Sequence, residues 1–128
     1  MKIAFICLGN TCRSQMALGI AKHYYSQLGS FYSAGIKPGN IIEANTIRAL
    51  ENFGIERLTV SPQGINALPE DIEYFVIMDA NINLEVANAH IIRLDVKDPF
   101  GSDYENYCLV RDQIFRDLAK MFRNITEV

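Results

Sequence analysis

Reactive side chains at a telling spacing occur together in one octapeptide, Cys7-Leu8-Gly9-Asn10-Thr11-Cys12-Arg13-Ser14. A loop between a strand end and a helix start can turn several backbone N–H groups inward. The helix dipole adds its positive end, and the result is a cradle for an anion. Gly9 lets the backbone approach a ligand closely, and Asn10 tolerates a left-handed conformation. Arg13 brings a planar fork of donors that matches two phosphate oxygens. Cys7 would lie at the base of the cradle. There the dipoles and Arg13 are expected to depress its pKa and favour the thiolate. A thiolate beneath a bound phosphoryl group is a nucleophile in position to attack. Ser14 can donate a hydrogen bond to that sulfur. The C-x5-R pattern alone is weak, because a buried cysteine and a helix-capping serine account for it as well. Its weight comes from a strand-to-helix position with Gly and Asn inside the loop.

The surrounding pattern supplies that position. Lys2–Cys7 is a short run rich in Ile and Phe bounded by Gly9 and Asn10, which reads as a buried strand. Ser14 to Leu28 has helical spacing through Met16, Ala17, Ile20, Ala21, Tyr24 and Leu28, and Gly29 is expected to close it as a C-cap. Phe31–Ala34 reads as a second strand ended by Gly35. Ile42, Ile47, Leu50 and Phe53 predict a helix between Pro38-Gly39 and Gly54. Residues 57–70, broken by Pro62, Gly64 and Pro69, give no clear period. Ile72–Met78 reads as a strand, Asn81–Ala89 as a short helix, His90–Leu94 as a strand and Asp95–Ser102 as a loop. From Asp103 to the end, Tyr107, Val110, Ile114, Leu118, Met121, Phe122 and Ile125 line one helical face. Strands alternating with helices imply parallel strands joined by crossovers. The expected fold is α/β, a three-layer sandwich with a small parallel sheet of about four strands flanked by helices. In such sheets ligands bind beyond the carboxyl ends of the strands, and the first strand-to-helix turn is Cys7–Ser14.

Length and composition set the outer limits. The 128 residues fit one domain, 1–128, with no linker or repeat. Hydrophobic residues make up 49% and charged residues 21%, a balance that argues against disorder. A net charge of -3 gives no general nucleic-acid footprint. Charge is nevertheless uneven. Residues 1–60 carry six Lys/Arg against three Glu, whereas residues 61–128 carry six against twelve Asp/Glu. The first half is the half suited to an anion, although chance on a solvated surface gives the same imbalance. No apolar run approaches the ~20 residues of a membrane span, and Ile3–Leu8 is too short for a signal peptide. Three cysteines, Cys7, Cys12 and Cys108, are an odd number, which favours free thiols in a reducing cytoplasm over a disulfide scaffold. With His23 and His90 they make no zinc-ligand spacing, so no metal site is expected.

The octapeptide resembles the phosphate-binding signature of the low-molecular-weight protein tyrosine phosphatase family. Ser33-Ala34-Gly35, Met78-Asp79 and Asp98-Pro99-Phe100-Gly101 agree with the family in order. The resemblance spans nearly the whole chain and is weakest over residues 36–70. It implies Cys7 as nucleophile, Arg13 as phosphate clamp and Asp98 as general acid, then base, with cysteinyl-phosphate between the two steps. It further implies phosphate binding by Leu8, Gly9, Asn10, Thr11, Cys12, Arg13 and Ser14. Asn10, Ser14 and Ser33 would support the loop, and Leu8, Thr11 and Phe100 would form the substrate pocket. Cys12 would be able to pair with the nucleophile on oxidation. Cys12 as a small apolar filler and Asp98-Pro99 as a plain turn opener are the bland alternatives. The implied ligands are phosphate or other oxyanions and a phosphorylated protein or peptide, with no cofactor, nucleic acid or membrane; oligomeric state stays open.

Three departures bear on the substrate. Gln15 replaces the family's usual Pro and is expected to leave the chemistry alone. Thr59–Ile65 lacks the basic pattern of many tyrosine-directed members. Thr11 stands where those members often carry Ile and is similar to the protein arginine phosphatase branch, as are Val60-Ser61-Pro62 and the run from Asp98 to Ala119. Phosphotyrosine is the family default, and phosphoarginine is its close alternative. Related arsenate reductases relay oxidation through further downstream cysteines, and residues 13–107 contain none. Phosphocysteine carriers generally lack the loop arginine.

Overall fold

Ile3, Ala4, Phe5 and Ile6 are each fully buried, which places their strand at the centre of a sheet covered on both faces. The computed structural model describes residues 1–56 and 61–127. Its strands are β1 (Lys2–Cys7), β2 (Ser30–Gly35), β3 (Tyr74–Ile77) and β4 (His90–Arg93). They form one four-stranded sheet in the order β2-β1-β3-β4, and every pair is parallel. The helices are α1 (Arg13–Tyr24), α2 (Ala44–Asn52) and α3 (Tyr104–Thr126). The α/β sandwich read from the sequence is the architecture observed.

Alternation along the strands sorts the core into two layers. Ile3, Phe5, Phe31 and Val76 pack with Met16, Ile20, Leu50, Ile114, Leu118 and Phe122 from the three helices. Ala4, Ile6, Ala34, Phe75 and Ile77 face the other way, against Ile72 and Ile82. Partly buried Ile65, Leu68, Leu84 and Val86 complete that second layer. Its cover is thus a 3-10 turn at Ile65–Ala67 and irregular chain. No helix among the described residues is long and apolar enough to cross a membrane.

Two expected helices differ from those observed. The first ends at Tyr24 rather than Leu28: the Tyr25 N–H bonds to the Ala21 carbonyl and the Leu28 N–H to the Tyr25 carbonyl. Tyr25 stacks on Phe122 at 4.2 Å, so the apolar periodicity continues as packing after the helix has stopped. Gly29 is therefore no C-cap; a Cβ there would overlap the Met1 carbonyl, and its role is to let the chain pass close to the N-terminus. Asn81–Ala89 is not helical. Ile82, Leu84 and Val86 recur every second residue, the period of extended chain, and they seal the second face of the sheet. The Asp79 side chain accepts the Asn81 N–H at 2.8 Å, a local turn that competes with helix initiation.

Candidate active site

β1 ends at Cys7 and α1 begins at Arg13, so the intervening loop crosses the carboxyl end of the central strand. Asn10 takes the left-handed conformation, with φ 55°, and is fully buried. Gly35 at the end of β2 lies against the loop. A Cβ there would meet the Leu8 carbonyl oxygen at 2.7 Å and the Asn10 nitrogen at 2.9 Å. The backbones of β2 and the loop are joined further by the Ile36 N–H to the Cys7 carbonyl and the Lys37 N–H to the Leu8 carbonyl.

The loop is fixed from within and from behind. Cys7 Sγ lies 2.9 Å from Ser14 Oγ, which also accepts from Asn10 Nδ2 at 2.7 Å. Gln15 Nε2 donates to the Asn10 carbonyl at 3.1 Å and to Asn10 Oδ1 at 3.3 Å. The Gln63 backbone N–H donates to Asn10 Oδ1 at 2.9 Å, while Gln63 Nε2 donates to the Ser33 carbonyl. Ser33 thus reaches the network through its backbone carbonyl and Gln63. Thr46 on α2 donates its hydroxyl to the Thr11 carbonyl at 3.0 Å. Tyr107 on α3 brings its hydroxyl to 3.6 Å from Cys12 Sγ. Burial pushes the Cys12 thiol up, and burial with the Cys12 contact pushes the Tyr107 phenol well above its ordinary range.

Arg13 is held on three sides. Nη1 donates to the carbonyls of Met78 and Val96 at 3.0 and 2.9 Å, and Nη2 donates to Asp79 Oδ2 at 2.9 Å. Asp98 Oδ2 stands 3.6 Å from the same Nη2. Arg13 Nε is buried with no hydrogen-bond partner among the described residues. Asp79 is held below the usual carboxylate range, first by the Asn81 N–H and then by Arg13. The Asp98 side chain is 42% exposed, and its Oδ1 accepts the Phe100 N–H.

One cavity of about 450 Å³ gathers Cys7, Leu8, Gly9, Thr11, Cys12, Arg13, Asp98 and Phe100. Asn10, Ser14 and Ser33 are buried beside it. His23 and His90 do not line it; His23 meets Tyr24 edge-on and His90 stacks on Tyr74. Cys108 is partly buried against the helical core. Thr59 and Val60, used above for the substrate comparison, lie outside the described residues, whereas Pro62 and Gln63 are within them. Sequence reading noted Asp79 and Gln15 without giving either a place in the site, and it missed Gln63, Thr46 and Glu43, the last of which also lines the cavity. Asp79 was marked by its place just past a strand end; Gln63, in a stretch of breakers, carried no such mark.

The fold and site together define an α/β domain whose central strand feeds a cysteine–arginine loop at the sheet's carboxyl edge. The model of the family described as "Low molecular weight phosphotyrosine protein phosphatase" matches residues 2–128, and the chain belongs to that family of enzymes. An arsenate reductase of Staphylococcus epidermidis is 33% identical over 117 residues, which is 88% of each chain. A solved structure described as an arsenate reductase in the phosphate binding state matches with a TM-score of 0.88 at 24% identity, covering 98% of both chains. The YwlE arginine phosphatase, solved as a Cys-to-Ser variant with its active-site serine phosphorylated, matches at TM-score 0.76 and 27% identity over 96% of both chains.

Proposed function

We propose that the protein is a phosphatase that hydrolyses phosphorylated protein side chains through a cysteinyl-phosphate. The observation that carries this reading is the cavity that gathers Cys7, Arg13 and Asp98. Cys7 Sγ attacks phosphorus as the bond to the leaving atom breaks, and Asp98 delivers its proton to that atom. Asp98 then takes a proton from water, the water oxygen attacks phosphorus, and the S–P bond breaks to release orthophosphate. Arg13 and the loop amides hold the equatorial oxygens throughout. The phosphate-bound relative and the phosphorylated active-site serine in the arginine phosphatase support oxyanion binding at this loop.

Phosphotyrosine, the family default, is the first substrate reading. Leu8 and Phe100, 44% and 64% exposed, supply apolar walls at the mouth for an organic leaving group. Phosphoarginine is the second, favoured by Thr11 in the cavity wall and by the arginine phosphatase relative. Arsenate reduction, the activity in several relatives' names, needs a thiol relay, and no cysteine lies between Arg13 and Tyr107. The test is turnover of p-nitrophenyl phosphate, which wild type is expected to hydrolyse and Cys7→Ser to leave intact. Thioredoxin-dependent arsenate reduction without phosphate release would overturn the proposal. For substrate choice, specificity constants on phosphotyrosyl and phosphoarginyl peptides are compared for wild type and Thr11→Ile. An unchanged ratio removes Thr11 from the argument.

A further inference from the structure

Glu43 occupies the N-cap position of α2, where short oxygen-bearing side chains are favoured because they can accept the helix's first N–H groups. Its carboxylate makes no capping bond, and it forms no ion pair among the described residues. Instead Glu43 lines the same cavity as Cys7, Thr11, Arg13 and Asp98. Its backbone is tied to the loop, because the Glu43 N–H donates to the Thr11 carbonyl at 3.1 Å.

A partly buried, unpaired carboxylate beside an anion cradle weakens the binding of a phosphoryl group unless the substrate brings donors of its own. The ring of phosphotyrosine brings none. The guanidinium of phosphoarginine brings N–H groups and delocalised charge directly next to phosphorus. We infer that Glu43 is a specificity-determining residue that accepts the guanidinium N–H groups of a phosphoarginyl side chain and so favours it over phosphotyrosine. The inference rests on the cysteinyl-phosphate reading above and moves its second substrate, phosphoarginine, ahead of the family default.

The experiment compares kcat/KM on one peptide carrying phosphoarginine and on the same peptide carrying phosphotyrosine. Wild type, Glu43→Gln and Glu43→Ser are measured. Serine is a good N-cap, so Glu43→Ser removes the carboxylate without weakening α2. Both substitutions are expected to lower the phosphoarginine-to-phosphotyrosine ratio by about tenfold, the scale of one charge-assisted hydrogen bond. An unchanged ratio, or equal losses on both peptides, overturns the role of Glu43, as does wild type that leaves phosphoarginine uncleaved. If wild type turns over p-nitrophenyl phosphate while any of these holds, Glu43 alone is misassigned. If it does not, the phosphatase reading beneath it falls too.

Discussion

Asp79 and Asp98 approach the same guanidinium nitrogen of Arg13, one at 2.9 Å and the other at 3.6 Å, and their surroundings give them different work. Asp79, 17% exposed, accepts the Asn81 N–H and an Arg13 hydrogen bond, which hold its carboxyl ionised. Asp98 is more open to solvent and lines the cavity, and the proposed mechanism gives it the leaving-group proton. Asp98→Ala is therefore expected to slow enzyme phosphorylation most for aryl phosphates with basic leaving groups. A slope against leaving-group pKa equal to wild type would remove the acid assignment. Asp79 has a linkage consequence. Its folded pKa lies below the unfolded value of about 3.9, so its stabilisation is full above that pH and lost as pH falls through the folded value. Asp79→Asn is expected to be less stable than wild type at pH 7, with the gap closing below about pH 4; urea unfolding midpoints at both pH values check it.

The loop keeps its shape because neighbouring elements crowd it, and that crowding is testable at Gly35. Gly35→Ala puts a methyl 2.7 Å from the Leu8 carbonyl oxygen. It is expected to cost about 1–3 kcal/mol in denaturant unfolding and to lower activity with it. On the far side, Arg111 of α3 is 6% exposed, donates to the Ala49 carbonyl and to Asn52 Oδ1, and stacks 3.9 Å over Phe53. Arg111→Ala is expected to cost about 2 kcal/mol, because it orphans carbonyl oxygens at the end of α2. These elements differ in how far the sequence discloses them. β1 matches its apolar run because burial on both faces demands one, and the loop is legible because Gly9, Asn10, Arg13 and Ser14 each answer to a local requirement. Helix ends are set by partners remote in sequence: Tyr25 stops α1 while packing on Phe122. Arg111 shows the same limit, since a charged residue within an apolar stripe discloses nothing of its stacking partner. Gln63 joins the site only because Gly64 pairs with Gly35, a contact no local pattern encodes.

Across the molecule, the loop is where β1, β2, α1, α2 and α3 meet, so an anion bound there should report on the stability of the whole domain. Phosphate at about 100 times its dissociation constant is expected to add about 2.7 kcal/mol. For a domain of this size that raises the thermal midpoint on the order of 10 °C. Arg13→Lys, which cannot reproduce the guanidinium's planar fork, is expected to lose most of the shift. Absence of the shift in wild type would deny the loop its anion. The three-sided hold on Arg13 has one more consequence. Folding has already frozen that side chain's torsions, so an arriving ion meets a host preorganised for it and demands no rotamer search. Capture is then expected to proceed as a single kinetic phase, with selectivity decided by the fit of a rigid receptacle rather than by its adjustment.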